Sequence, residues 1–483
     1  MSNIDLDQGN TPLCIDLDGT LIKTDSLYES LLLLLKQNPF YCIIALFWIF
    51  KSKAYFKAKV AERVQLPPQS LPYNDDVIQY IQSQPSDRLV LLITGSHIST
   101  AESIANHLKL FDEVIASDST INMTRHNKCQ YLVNRFGENS FEYVGNDMDD
   151  IFVWQSAKQV SVVSRDNQFL RQIQKKFTIE KIFLLPSPSI KDYLKAIRVH
   201  QWVKNTLIFV PFFLNQKLDD FDSLFRLAIC FICLSLLASG TYIMNDLLDL
   251  QSDRLNRYKR GRAFASGLIP IKQAVIMMAI LTLLFIVMAS LLPSNLVLLL
   301  LLYLVTTSLY SFYFKTAAML DVCVLAGLFT LRIFCGIIAI QGPWSFWLLV
   351  FSMFFFLSLA FAKRFSELDN LQSESEGRAP GRGYYIEDKS MLKSFGTASG
   401  FISILVIALY LNSTKVSQMY AHPEILWLIC PLLLYWIGRI WLITGRGQMH
   451  EDPIVFAIKD SVSLVTVCLC GAIVLIATAL PPS

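Results

Sequence analysis

Long apolar runs dominate the second half of this 483-residue chain. Each run approaches the ~20 residues that a helix needs to cross about 30 Å of hydrocarbon, although the first is short. The nine runs cover roughly 203–216, 223–245, 273–292, 295–314, 319–340, 344–361, 396–412, 424–443 and 462–480. A soluble core does not require so many runs of this length. The sequence therefore predicts an all-α polytopic membrane bundle of about nine transmembrane helices over residues 201–483.

Lysine and arginine residues concentrate in every second connection between these runs. The four basic connections hold Arg254, Arg257, Lys259, Arg260, Arg262 and Lys272; Lys315; Lys363, Arg364, Arg378, Arg382, Lys389 and Lys393; and Arg446 and Lys459. The other connections offer little beyond Lys217 and Lys415. Positive charge marks the cytoplasmic side of a membrane protein. We therefore expect a multi-pass protein of the inner or plasma membrane, with the basic connections and the N-terminal domain in the cytoplasm.

The N-terminal part, residues 1–185, has a different pattern. Short β-type runs at 13–17, 89–93, 142–144 and 160–163 alternate with polar helical stretches. Such alternation is typical of a doubly wound α/β sheet. No h-region of a secretory signal occurs in the first twelve residues, which are acidic and polar. A linker at 186–200, containing Pro and Ser, separates this domain from the apolar runs.

One segment, residues 30–60, interrupts the α/β pattern. Its first part is strongly apolar but is broken by Lys36, Asn38 and Pro39, and a lysine-rich stretch follows. A clean transmembrane span is therefore not expected. The composition favours a helical insertion that lies on the membrane surface or dips into it.

A cluster of carboxylates ends the second apolar run, in the sequence NDLLDLQSD. Asp246, Asp249 and Asp253 are spaced three and four apart, so a helix places all three on one face. Three like charges beside a membrane are costly unless a cation offsets them. Mg²⁺ prefers oxygen ligands and is commonly completed by substrate phosphates. The spacing predicts a Mg²⁺–diphosphate site; the alternative is a solvated helix end with ordinary charges.

The same residues resemble the NDxxDxxxD signature of the UbiA superfamily of intramembrane prenyltransferases, and the resemblance extends from about residue 190 to the end. It implies that Asp246, Asp249 and Asp253, with Asn245, bind a diphosphate through Mg²⁺. YSFYFK, after the fourth run, is similar to the Tyr…Lys element of that superfamily. It implies Tyr310 and Lys315 as substrate-binding residues; a lysine that snorkels to the membrane surface is the alternative for Lys315. Lys259, Arg260 and Arg262 directly follow the carboxylates and can pair with phosphate oxygens, although positive-inside topology alone would also place basic residues here.

The second acidic motif of typical UbiA members, DxxxD, is absent after the sixth run. The sequence there is AKRFSELDN, in which Lys363, Arg364 and Glu367 can share one helix face. This departure, RVHQWVKNTLIF at 198–209 and GRGQMHEDP at 445–453 resemble the branch that contains decaprenyl-phosphate phosphoribosyltransferase. That branch implies 5-phosphoribosyl diphosphate as donor and a polyprenyl phosphate as acceptor. The remaining candidates for substrate binding are Lys204, Asn205, Lys363, Arg364 and Glu367.

Two other functions remain open for the membrane part. One is a prenyltransferase that moves a polyprenyl group from its diphosphate to an aromatic or other acceptor. The other belongs to a different class, a protein that binds or transports a lipid phosphate without chemistry. No nucleic-acid partner is expected in either case.

The N-terminal domain begins with LCIDLDGTL at 13–21, which resembles motif I of the haloacid dehalogenase-like (HAD) superfamily. The resemblance implies that Asp16 attacks phosphorus and that Asp18 protonates the leaving group. Thr94 in LLITGS and Lys128 are similar to motifs II and III, and YVGNDMDD at 143–150 to motif IV, although Asn146 departs from its usual Asp. The Mg²⁺ ligands implied are Asp16, Asp18, Asp147 and Asp150. We therefore expect a phosphatase that acts on the transfer product; an inactive or regulatory domain is the alternative.

Overall fold

The computed structural model describes residues 11–214, 220–257, 259–342, 345–371, 382–413, 416, 420, 422–449 and 452–479. Its contacts divide the chain into two compact units. The first unit comprises Met1–Ile197 and Tyr242–Ala279, and the second comprises Arg198–Thr241 and Ile280–Ser483. The break at Ile197 falls inside the predicted linker, which contains a short helix.

A six-stranded parallel sheet forms the centre of the first unit. The strands are β1 (Leu13–Ile15), β2 (Val90–His97), β3 (Glu113–Ser117), β4 (Glu142–Gly145), β5 (Gln159–Ser164) and β6 (Ile179–Leu184). Their order is β3-β2-β1-β4-β5-β6. The first three strands therefore follow one another toward one edge of the sheet, the last three follow one another toward the other edge, and the strand order switches between β1 and β4. Both faces are covered, because separate apolar clusters lie on each side of the sheet. The predicted α/β fold is confirmed.

Helices pack around this sheet and form the insertion between β1 and β2. They are α1 (Ser26–Gln37), α2 (Tyr41–Lys51), α3 (Lys53–Ala61), α4 (Asp75–Gln82), α5 (Ile98–Leu108), α6 (His126–Phe136), α7 (Ile151–Trp154), α8 (Asn167–Gln174) and α9 (Ile190–Ala196). The predicted insertion is helical and consists of α1, α2 and α3. Helix α2 exposes large apolar side chains, including Phe40 just before it, Phe47 and Phe50. Its eleven residues are too few to cross a bilayer.

The remainder of the described chain is helical. The helices are α10 (Val210–Leu214), α11 (Phe221–Leu248), α12 (Leu250–Leu255), α13 (Ile271–Ala289), α14 (Ser294–Phe312), α15 (Leu320–Ala339), α16 (Phe346–Leu371), α17 (Lys389–Leu411), α18 (Ile429–Gly445), α19 (Pro453–Lys459) and α20 (Ser461–Ala479). Within the described ranges, eight segments are long and apolar enough to cross a membrane. The predicted membrane bundle is confirmed.

The first predicted run, 203–216, is the exception: residues 215 and 216 lie outside the described residues, and 203–214 do not form one continuous α-helix. It forms a 3₁₀ segment, Val199–Phe209, followed by the five-residue α10. Two polar residues of the segment, Lys204 and Asn205, are buried and bond to side chains far along the chain. The irregular backbone thus occurs where buried side chains form tertiary hydrogen bonds, and the length of an apolar run does not predict such bonds.

Close packing in the second unit depends on small residues along one face of α17. A Cβ at Gly396 would lie 2.1 Å from the ring of Trp441, and one at Gly400 would lie 2.7 Å from Ile437. Both neighbours belong to α18. Small residues allow membrane helices to approach closely, where dispersion contacts replace the hydrophobic effect. This packing holds α16, α17 and α18 around one apolar core.

Candidate functional sites

The predicted nucleophile Asp16 lies directly after β1, at the carboxyl edge of the sheet. In doubly wound folds, ligands bind at this edge where the strand order reverses. Lys128 of α6 donates a hydrogen bond from Nζ to Asp16 Oδ1 at 2.8 Å and another to the Tyr143 hydroxyl at 2.8 Å. Tyr143 in turn donates to Asp150 Oδ1 at 2.7 Å. The structure thus brings together three of the predicted residues of motifs I, III and IV.

Burial determines the charge of this cluster. It raises the pKa of Asp16 to about 7, although Lys128 opposes the shift. Burial also disfavours the charged form of Lys128, but the carboxylates of Asp16 and Asp150 outweigh it and hold the Lys128 pKa above its usual value. One lysine therefore faces several carboxylates in a buried place. Such an excess of negative charge favours a bound cation.

The second carboxylate of motif I, Asp18, is held in a fixed orientation. Its Oδ1 accepts from the Ser26 backbone N–H at 2.7 Å, and its Oδ2 accepts from the Ser96 hydroxyl at 2.5 Å. The predicted motif II residue Thr94 is fully buried, and its Oγ1 accepts from the Ser96 N–H at 3.0 Å. The start of α1 and the end of β2 therefore position the predicted acid together.

The two predicted metal ligands of motif IV lie in different surroundings. Asp150 is buried, and its Oδ2 accepts from the backbone N–H groups of Asn146 and Asp147 at 2.9 and 3.0 Å. Asp147 is exposed, and its side chain caps the following turn through the Met148 N–H. Asn146, at the departing position, accepts from the Thr20 hydroxyl at 3.1 Å. The amide therefore bonds to the motif I loop.

The carboxylates of NDLLDLQSD, here called the membrane carboxylates (Asp246, Asp249 and Asp253), lie at a break between two helices. This stretch of the chain belongs to the first unit, although α11 begins in the second. Helix α11 ends at Leu248 and α12 begins at Leu250, with Asp249 between them. Backbone bonds continue across the break, from Asp249 N to Asn245 O at 2.9 Å and from Asp253 N to Asp249 O at 2.8 Å. The predicted helical spacing of the carboxylates therefore persists. Asp249 Oδ1 also accepts from Lys36 of α1 at 3.3 Å.

Arg262 joins two of these carboxylates. Its Nη1 lies 3.1 Å from Asp246 Oδ1 and 2.6 Å from Asp253 Oδ2. Since one nitrogen reaches both, a single cation can contact both oxygens. Asn245 Oδ1 is buried and has no hydrogen-bond partner among the described residues. Buried acceptors without partners are costly, so this oxygen is available to a ligand.

These oxygen donors fit Mg²⁺, which takes carboxylate and amide oxygens together with water and phosphate. Within the described ranges, no three His, Cys, Asp or Glu side chains are gathered closely enough to hold a metal ion on their own. The same fit applies to Asp16 and Asp150 of the α/β domain, which are oxygen donors with too little positive charge beside them.

Two predicted basic residues of the second unit converge on an acid that the sequence interpretation did not select. Lys204 Nζ and Lys363 Nζ lie 2.9 and 3.0 Å from the same oxygen, Asp452 Oδ2. Burial favours the neutral form of Asp452, but the two lysines outweigh it and lower the pKa of Asp452 below its usual value. Two cations on one carboxylate leave a net positive charge. The GRGQMHEDP segment was the signal that could have identified Asp452.

Arg364 forms a second, almost fully buried network. Its guanidinium contacts Asp321 at 2.5 Å, the Tyr310 hydroxyl at 2.7 Å and the Glu367 carboxylate. Tyr384 donates to Asp321 at 2.5 Å. The predicted shared face of Arg364 and Glu367 is therefore present, and Tyr310 joins it. Asp321 was missed, although a single acid in an apolar run is a signal for function.

Asn205 belongs to another buried set. Its amide donates to the Ser235 hydroxyl at 3.0 Å and accepts from Arg332 Nε at 2.9 Å. Arg332, also missed, is a charged residue within the apolar helix α15. Among the other predicted basic residues, Lys259 forms an ion pair with Asp253 at 3.9 Å. Arg260 is exposed, and Lys315 is half-buried in a 3₁₀ turn after α14.

Among the described residues, eight span-length helices define an integral membrane protein, and a cluster of carboxylates lies where one of these helices ends. Residues 207–459 match the model of the UbiA prenyltransferase family, so the chain belongs to that family.

Three relatives locate the chain within the family. The uncharacterized protein y4nM of Sinorhizobium fredii is 36% identical over 96% of this chain and 90% of its own length. The nodulation protein NoeC of Azorhizobium caulinodans is 32% identical over 58% of this chain and 90% of its own. The decaprenyl-phosphate phosphoribosyltransferase of Mycobacterium tuberculosis is 31% identical over 38% of this chain and 62% of its own. The similarity to y4nM includes the N-terminal α/β domain.

Proposed function

We propose that this protein transfers phosphoribose from 5-phosphoribosyl diphosphate to a polyprenyl phosphate in the membrane. The observation that carries the proposal is the pair Asp246 and Asp253 on one guanidinium, beside the unpartnered Asn245 oxygen. This arrangement offers oxygen ligands and a cation at the end of an apolar helix. Relatives named decaprenyl-phosphate phosphoribosyltransferase support the choice of donor and acceptor.

The segment after the sixth apolar run supports a phosphoribosyl rather than a prenyl donor. A prenyl diphosphate would need a second acidic cluster there, with carboxylates available for Mg²⁺. Glu367 instead bonds to Arg364, and Asp369 lies 2.5 Å from Lys389. Both carboxylates are therefore neutralised by cations of the chain itself.

The residues have separate roles in this reaction. Asn245, Asp246, Asp249 and Asp253 hold the donor diphosphate, and bound Mg²⁺ would offset the charge that develops on it as the bond to ribose C1 breaks. Arg262 is displaced from the carboxylates and turns to the phosphate oxygens, for which a guanidinium is well suited. An oxygen of the lipid phosphate attacks C1. In the second unit, Lys204 and Lys363 carry a net positive charge together with Asp452, and they are the candidates for binding a phosphate there.

The α/β domain removes the 5-phosphate from the transferred ribose. Asp16 forms the bond to phosphorus, Asp18 gives its proton to the ribose oxygen, and water then releases inorganic phosphate. Lys128 keeps Asp16 oriented through its 2.8 Å bond. We place this domain and the basic connections in the cytoplasm, where the water-soluble donor is available.

Incubating membranes that contain the full-length protein with radiolabelled 5-phosphoribosyl diphosphate and polyprenyl phosphates of several lengths tests the transfer. We expect Mg²⁺-dependent label in the lipid fraction, first with and then without the 5-phosphate. A parallel incubation uses labelled polyprenyl diphosphate and aromatic acceptors. Transfer only in that second incubation would establish the prenyl reaction instead.

A further inference from the structure

The geometry of the membrane carboxylates depends on a loop. Arg262, which bonds Asp246 and Asp253, lies between the end of α12 at Leu255 and the start of α13 at Ile271. The position of Arg262 therefore follows the position of the described residues of this connection, here called the Arg262 loop (residues 256, 257 and 259–270). Residues of the α/β domain hold the Arg262 loop near both of its ends.

The first attachment is a buried ion pair. Arg254 Nη2 lies 2.6 Å from Glu29 Oε1, and Nη1 lies 3.1 Å from Oε2, with side-chain exposures of 7% and 2%. The same guanidinium donates to Ala265 O at 2.8 Å, so it also bonds the far part of the loop. Loss of one partner from such a pair leaves a buried charge uncompensated.

The second attachment uses the loop backbone. Arg165, just after β5, donates to Gly267 O and Leu268 O, each at 2.6 Å. Gly267 has φ +71°, and a Cβ there would lie 3.0 Å from Lys23 Cβ and 3.1 Å from Lys23 O. Only glycine suits both this conformation and this close approach. The loop end is therefore fitted to the backbone that follows motif I.

We propose that the α/β domain sets the affinity of the membrane carboxylates for a diphosphate by holding the Arg262 loop, with Glu29 and Arg165 as positioning residues. This inference rests on the proposed diphosphate function of that cluster. It gives the N-terminal domain a role in transfer that is independent of its own phosphate chemistry. Glu29 is suited to the role because its Oε1 also accepts from the Thr24 hydroxyl at 2.8 Å, which ties it to the motif I loop.

The chain offers a matched control for Glu29. Glu142 is also buried, bonds an arginine (Arg88) at 2.7 Å and accepts from further hydroxyl groups, but it contacts the sheet rather than the Arg262 loop. Glu29→Gln and Glu142→Gln therefore remove the same charge from similar surroundings. The difference between the two variants isolates the loop.

The experiment measures binding of inorganic pyrophosphate, with Mg²⁺, to the full-length protein in detergent by calorimetry. We expect Glu29→Gln to raise the dissociation constant about tenfold, a usual size for coupling between sites, and Glu142→Gln to leave it within about twofold of wild type. Hydrogen exchange of the Arg262 loop should rise in Glu29→Gln but not in Glu142→Gln. Arg165→Ala, compared with the exposed Arg171→Ala, provides a second route that leaves every buried ion pair intact.

Wild-type affinity in both Glu29→Gln and Arg165→Ala would overturn the inference. Equal weakening in Glu29→Gln and Glu142→Gln would also overturn it, because the effect would then be general destabilisation. If the wild type itself fails to bind pyrophosphate, the proposed diphosphate function is wrong, and the inference that rests on it is wrong too.

Discussion

Two carboxylate clusters in the first unit have different kinds of counter-charge. Asp16 and Asp150 face Lys128, whose side chain is 6% exposed and is fixed on a helix of the α/β domain. Asp246 and Asp253 face Arg262, whose side chain is 35% exposed and comes from a loop. The first cation is buried in the α/β domain, whereas the second is partly exposed to solvent.

This difference suits the two proposed reactions, phosphate release by the α/β domain and transfer by the membrane part. A phosphatase needs its nucleophile oriented at all times, and a permanent lysine does this. A transferase that binds a donor with Mg²⁺ needs carboxylates that are stabilised before binding and released afterwards. A partly exposed arginine on a loop suits the second proposed reaction, because its side chain is not part of the buried core.

The largest effect is expected from a substitution in the membrane carboxylates. Asp249→Asn should reduce transfer of phosphoribose at least about a thousandfold, because electrostatic stabilisation of the leaving diphosphate is lost. The measurement is label in the lipid fraction of membranes. Asp222→Asn, in the exposed first turn of the same helix α11, is the matched control and should retain full transfer. Full activity of Asp249→Asn would contradict the assignment.

The next effect separates the two clusters. Asp16→Asn should abolish phosphate release, because the amide cannot form the phosphoryl intermediate. Lipid that still carries the 5-phosphate should then accumulate, as thin-layer chromatography of the labelled products would show. Asp76→Asn, an exposed change at the start of α4, should release phosphate as the wild type does. Unchanged phosphate release in Asp16→Asn would assign a regulatory role to the α/β domain.

Patterns that repeat along the chain were sufficient to predict the fold. The β-type runs predicted β1, β2, β4 and β5, and run length predicted the eight long helices of the described residues. The segment 203–216 was wrong as a span-length helix. The bonds of Lys204 to Asp452 and of Asn205 to Arg332 connect positions more than 100 residues apart, and local sequence carries no trace of them.

The candidate sites were predictable where a motif is short and continuous. LCIDLDGTL and NDLLDLQSD predicted residues that the structure places together, such as Asp16 with Asp18 on one loop and Asp246 with Asp253 on one guanidinium. Asp321 and Arg332 were missed because neither belongs to a short motif, and their partners lie in other parts of the chain: Arg364 for Asp321 and Asn205 for Arg332. Glu29 was missed because its importance depends on Arg254, 225 positions away.

The buried network of the second unit also has a buried cation, because the Arg364 side chain is 2% exposed and that of Lys128 is 6% exposed. Arg364→Gln should lower the free energy of unfolding by about 3–5 kcal/mol, because the buried carboxylate of Asp321 would lose its cation and keep only the Tyr384 hydroxyl. Arg382→Gln is the control: this side chain is 25% exposed and contacts the same Tyr310, so the loss should be about 1 kcal/mol or less. Reversible unfolding in mixed micelles measures both. Equal losses would mean that Arg364 is no more essential than a surface charge.

The smallest effect is expected at Gly19, where a substitution tests how rigidly the motif I loop of the α/β domain is held. Gly19 has φ +76°, and a Cβ there would lie 2.2 Å from Asn146 Nδ2. Gly19→Ala therefore adds a clash to the roughly 1–2 kcal/mol cost of a left-handed backbone. In an Asn146→Ala background the clash disappears and only the backbone cost remains, so the double-mutant cycle should show a coupling of about 1 kcal/mol. Amide exchange of β1 in the full-length protein measures each free energy. Additive costs would mean that Asn146 moves aside freely, and the motif I loop would then be less rigidly held than its contacts indicate.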